Sequence, residues 1–148
     1  MSVIVDIDNA VPDEWVPAQQ LFEAWITLAL QTHTPAEVSI RIVSKEESAA
    51  LNQTYRGKSN ATNVLSFPAD IPKVVESNLL GDLVICAGVL SDEATAQQKP
   101  LQAHWAHITI HGVLHLLGYD HIRDEDANTM EQLEINLLKQ LGYDNPYL

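Results

Sequence analysis

Read for the spacing of apolar and polar positions, the chain breaks into short strands and amphipathic helices. Val3-Ile4-Val5-Asp6-Ile7 reads as a strand. Pro17 fits the first turn of a helix running to residue 32, with Leu21, Phe22, Trp25, Leu28 and Leu30 as its apolar stripe. Residues 37–43 alternate polar and apolar, as a half-buried strand does. Ser44, with Glu47 three positions on, forms a capping box ahead of a helix over 45–55. The polar stretch 56–62 reads as a loop, 64–67 as a strand stopped by Pro68, 69–80 as a second loop, and 81–86 as a buried strand. Helical periodicity covers 88–98 and restarts at Pro100, expected near N1, to run to Leu117. Gly118 suits the left-handed position that closes a helix, and Asp124 is expected to cap a last helix ending near Leu141. The expected fold is α+β, with a small mixed, mostly parallel four-stranded sheet and five or six helices.

Composition narrows this picture. The 148 residues, 46% of them hydrophobic, suit one domain over 1–148. The opening MSVIVDIDNA has no basic region and no long apolar stretch, so no signal peptide is expected. No apolar run is long enough to span a bilayer, so no membrane partner is expected and the cytoplasm is the expected location. The single cysteine, Cys86, lies in an apolar run and reads as a packed thiol. A net charge of −12 argues against a broad electrostatic grip on nucleic acid, so any binding of a polyanion would need local positive charge.

The chemistry concentrates in His111-Gly-Val-Leu-His115-Leu-Leu-Gly118-Tyr-Asp-His121. Residues four apart on a helix lie about 6 Å apart along the axis and about 40° apart around it, which puts His111 and His115 on one face. A helix-ending turn at Gly118 returns the chain so that His121 can approach the same point. Three neutral imidazoles suit one zinc ion and leave a fourth position for water. Zinc peptidases with this spacing carry a glutamate directly after the first histidine; here Gly112 stands there and moves no proton. Asp120 is expected as an outer acceptor or loop former. His104, seven residues before His111, falls on nearly the same face, and His107 could orient a ligand from outside. Both read first as structural histidines. Ser66 reads as structural, and Asp82 either orients a histidine or ends a turn.

The string from His111 to His121 closely resembles the signature of the YbeY family, bacterial rRNA maturation factors and single-strand endoribonucleases. The resemblance continues in Leu51-Asn52 through Tyr55-Arg56-Gly57-Lys58, in Thr62-Asn63-Val64-Leu65-Ser66-Phe67-Pro68 and in Gly81-Asp82-Leu83-Val84-Ile85. It implies a zincin-like fold and one zinc ion held by His111, His115 and His121. It implies a metal-dependent cut in single-stranded RNA, serving maturation of the 16S 3′ end and ribosome quality control, with the small ribosomal subunit as partner and no DNA substrate. Arg56 matches a loop arginine held to matter for activity. Asn63 stands where members often carry aspartate. Arg56 and His111 are thus the candidate catalytic residues, and Arg56 and Lys58 the candidate substrate-binding ones; the guanidinium can fork to a phosphate at any relevant pH. Attack by metal-bound water and attack by the RNA 2′-hydroxyl both stay open. The rivals are a peptidase or phosphoesterase on the same scaffold, and a non-enzymatic assembly factor stapled by zinc.

Overall fold

The structure, a computed structural model, describes residues 3–72, 77–120 and 122–148. Its elements run β1 (Val3–Asn9), α1 (Gln19–Leu30), β2 (Ala36–Val43), α2 (Lys45–Arg56), β3 (Val64–Pro68), β4 (Leu79–Cys86), α3 (Ala87–Gln97), α4 (Leu101–Leu116) and α5 (Asp124–Gln140). The four strands form one sheet in the order β1-β2-β4-β3, with β3 the antiparallel edge and the other pairs parallel. The mixed, mostly parallel sheet and five helices agree with the expectation.

Alternation does the sorting. In β2, Ala36, Val38, Ile40 and Ile42 are buried while Glu37, Ser39 and Arg41 face outward. In β4, Leu83 and Ile85 continue that buried face, against which α1 and α4 pack. Phe22 sits at the centre, edge-on to Trp25 at 5.7 Å and to Trp105 at 5.9 Å. Cys86 lies in this core, and burial pushes its thiol up, as a packed cysteine requires.

Several boundaries move. Pro17 is buried ahead of α1, which begins at Gln19 and ends at Leu30. A φ near −65° serves extended chain as well as a first helical turn, and Gln19 donates to Val5 O at 2.7 Å, tying the helix start to β1. Pro100 is the N-cap of α4 and extended, with ψ 135°, and β4 starts at Leu79. Asp124 is not a cap but the first residue of α5. Asp124, Glu125 and Asp126 fill that helix's first turn, where its dipole favours negative charge. Ser44 does cap α2, accepting from Glu47 N at 3.2 Å. The Glu47 carboxylate, however, takes a fork from Arg41 at 2.6 and 2.9 Å instead of closing the capping box.

Candidate metal centre and its cleft

Helix α4 is the central helix of the molecule and is buried almost all round. From His104 to Leu116 only His107, His111 and His115 are not fully buried. They recur every four residues and so form one stripe along one side. His104 is turned away from it, and its Nε2 meets Glu93 Oε1 at 2.8 Å. The seven-residue spacing that aligned His104 with His111 therefore does not bring them together.

His111 and His115 point their Nε2 atoms at each other, 3.1 Å apart. The opposite ring nitrogens are both committed. His111 Nδ1 lies 2.9 Å from Glu134 Oε2, and His115 Nδ1 lies 2.9 Å from Tyr119 O. A carboxylate and a carbonyl can only accept, so both Nδ1 atoms carry a proton; with both rings neutral, as metal ligands must be, the two Nε2 lone pairs face one point. Two nitrogens at that distance need positive charge between them, a shared proton or a metal cation. This donor set fits a divalent zinc ion, which takes neutral imidazole nitrogen readily.

The turn after α4 supplies half of this arrangement. Gly118 N donates to His115 O and Tyr119 N to Leu114 O, both at 3.0 Å, the paired bonds of a Schellman motif. Gly118 takes φ +102° with open space around it, so the backbone, not crowding, demands glycine. The reversal delivers Tyr119 O to His115. Asp120 Oδ1 then accepts from Ile122 N at 3.0 Å and acts as a loop former. His121 lies outside the described residues. Gly118→Ala is expected to cost the metal-free protein about 1–2 kcal/mol, the usual penalty of a left-handed alanine, read as a lower urea midpoint with an unchanged slope.

Glu134, on α5, holds the other half. Its side chain is 0% exposed. Oε2 takes His111; Oε1 accepts from His107 Nε2 at 2.7 Å and from the Tyr147 hydroxyl at 2.6 Å. Burial alone would raise its carboxyl, but the hydrogen bonds from His107, His111 and Tyr147 prevail and hold it at about 2. Glu134 is not among the residues that the sequence marks for the site. The signal was an acid inside the buried stripe of α5, between Met130 and Leu137-Leu138. Ligand atoms of His107, His111 and Glu134 also lie within 4.8 Å of one another, so two donor sets share His111.

A cleft of about 580 Å³ opens in front of this pair, lined among others by Arg56, Asn63, Ser66, His111, His115 and Asp120. Matching of the chain against known families covers residues 6–142 with the family described as Endoribonuclease YbeY. The chain belongs to the YbeY family. That family is one of endoribonucleases, hydrolases that act on RNA. The solution structure of TM1509 from Thermotoga maritima has a similar fold, with a TM-score of 0.62 and 23% identity over 93% of this chain and 89% of that one.

In this YbeY chain, Arg56 ends α2 and lies across the Phe67 ring at 5.1 Å, its Nη2 donating to Ser66 O at 3.0 Å and Nη1 to Tyr55 O at 3.2 Å. Two of its five N–H donors are thus engaged. The loop that follows is pinned to α2 by Ser48 Oγ on Thr62 and by Asn52 Nδ2 on Asn60 O at 2.7 Å. Lys58 is exposed and does not line the cleft. Asn63 does. Its Oδ1 accepts from Val64 N at 2.7 Å, while Nδ2 sits 3.3 Å from both oxygens of Glu93. An aspartate there would set two carboxylates against each other, which accounts for the amide.

Ser66 is structural, its hydroxyl donating to Gly112 O at 3.1 Å. A Cβ on Gly112 would meet Leu83 Cδ2 at 2.9 Å and Val64 Cγ2 at 3.3 Å, so a side chain at that position would force these neighbours to repack. Among the described residues Asp82 orients no histidine, and it ends no turn. It stands mid-strand on the other sheet face, exposed in a surface cleft that Asp6 and Asp8 also line, because its neighbours Leu83 and Gly81 take the core side.

Proposed function

We propose that this chain is a zinc-dependent endoribonuclease that cuts single-stranded RNA and serves 16S rRNA 3′-end maturation and ribosome quality control in the cytoplasm. The observation that carries the reading is the pair of Nε2 atoms, His111 and His115, facing one point in the cleft that Arg56 lines. His121 is the third ligand by its spacing from Gly118. We prefer this set to His107, His111 and Glu134, because a cation among the latter would displace buried hydrogen bonds that the carboxylate already makes.

Zinc in this position supplies Lewis-acid charge at a phosphoryl oxygen. The protein's part is to aim and to hold. Glu134 and Tyr119 O fix the imidazole tautomers, so both rings present lone pairs inward. Arg56 keeps three N–H donors for a phosphate, and Lys58 adds a flanking charge. A chain of net charge −12 gathers RNA poorly from bulk solution, so we assign the productive encounter to a small ribosomal subunit that presents its own single strand.

Gly112, which offers no base and whose Cβ would press on Leu83, speaks against the peptidase alternative. The test is cleavage of a single-stranded RNA oligonucleotide beside casein, with zinc content measured on the same samples. Metal-loaded protein is expected to cut RNA and spare casein, to lose the activity on chelation and to regain it with zinc. Chelation without loss of RNA cleavage would refute the proposal. Ends bearing 2′,3′-cyclic phosphate would assign the attack to the 2′-hydroxyl.

A further inference from the structure

The segment after α5 does more than end the fold. Gly142 N bonds Lys139 O at 3.0 Å and Tyr143 N bonds Leu138 O at 2.9 Å, a second Schellman reversal that turns the chain back toward α4. Three contacts then fix its path. Gln102 Nε2 donates to the Tyr143 hydroxyl at 2.8 Å, Lys99 Nζ donates to Pro146 O, and Tyr147 N donates to Asn145 Oδ1 at 2.8 Å. The path ends with the Tyr147 ring edge-on to His107, centroids 5.4 Å apart, and its hydroxyl on Glu134 Oε1.

Tyr147 is 44% exposed, yet its hydroxyl reaches a carboxylate that is fully enclosed. Glu134 has no lysine or arginine against it among the described residues. Two imidazole N–H groups and one phenol O–H carry its whole charge. Without the phenol, Oε1 keeps only His107, and the opening left by the tyrosine admits water to the carboxylate. A hydrated, turning carboxylate grips His111 Nδ1 less firmly, and the ring then no longer holds its Nε2 toward His115.

Building on the zinc reading above, we propose that residues 143–148 form a clasp in which Tyr147 is a positioning residue. Its hydroxyl locks Glu134, Glu134 locks His111, and docking of the segment and binding of a divalent cation reinforce each other. Because the coupling is a free energy between two sites, it runs both ways by the same factor: the clasp tightens the cation, and the cation tightens the clasp.

Cobalt(II) reports both directions. Its affinity is measured by competition with a chromophoric chelator, its ligand field by visible absorption, and the clasp by hydrogen exchange of the peptide 142–148. Wild type is expected to bind one cobalt ion and to slow exchange in that peptide on binding. Tyr147→Phe keeps the ring and loses the hydroxyl. It is expected to bind cobalt about tenfold more weakly, the effect of losing an outer partner, with an altered visible band and no slowing of exchange. Asn145→Ala loosens the segment without touching Glu134 and is expected to shift affinity the same way by a smaller factor, which guards against a folding defect in the first variant. Equal cobalt affinity in wild type and both variants overturns the clasp and leaves the zinc reading standing. Failure of wild type to bind cobalt or zinc overturns the zinc reading and the clasp with it.

Discussion

Replacing His115 with alanine is expected to abolish stoichiometric zinc binding and RNA cleavage while leaving the metal-free fold close to intact. The reason lies in what each histidine holds besides its Nε2. His115 Nδ1 reaches a backbone carbonyl, Tyr119 O, in a partly exposed turn. Losing that bond costs about 0.5–1.5 kcal/mol. Loss of a direct ligand exceeds the roughly 10–100-fold penalty that removal of an outer partner brings, so metal content should fall from one ion per chain to none at micromolar zinc. His111→Ala reaches the same functional end by a costlier route. It strips one of three donors from a fully buried carboxylate, and an under-satisfied buried group costs about 1–3 kcal/mol or more. The pair makes a sharp comparison: equal loss of metal and cleavage, but a clearly lower metal-free stability for His111→Ala. If His115→Ala retained full zinc content, the imidazole pair would not be the metal centre.

That comparison also marks where the sequence was legible. Local rules settled local features. The i, i+4 spacing of His111 and His115 and the glycine that must take positive φ are written within eight residues, and the structure brings the two imidazoles together. The alternation in β2 and the hydroxyl at Ser44 were equally local. The face of α4 was another matter. A helix buried on nearly every side has no polar face to betray its orientation, so His104 could be placed beside His111 by periodicity although it turns to Glu93. The carboxylate that holds His111, and the phenol that in turn holds that carboxylate, lay further off. Glu134 is 23 residues away and Tyr147 36, reached only once α5 has packed on α4 and the chain has doubled back. Gly112 illustrates the middle ground: its identity showed which chemistry was missing, but only the approach of Leu83 shows that a larger residue there would disturb the packing.

Arg56→Ala is expected to lower kcat for RNA cleavage about 10²–10³-fold with zinc content and thermal stability unchanged, the loss seen when one well-placed donor to a developing charge is removed. The structure favours so clean a separation. Arg56 is exposed and spends its hydrogen bonds on two backbone carbonyls near the surface that water can serve instead. Its stacking on Phe67 orients the guanidinium plane beside the cleft but buries little. Arg56→Lys discriminates charge from shape. A lysine keeps the positive charge but offers a point donor where the guanidinium offers a fork, so a requirement for two-pronged phosphate contact leaves Arg56→Lys nearly as slow as Arg56→Ala. Mere local attraction would restore most of the rate, and would appear as a change in KM that fades with added salt. Full activity in Arg56→Ala would remove the arginine from the reaction altogether and leave Lys58, outside the cleft lining, as the nearer source of positive charge on that loop.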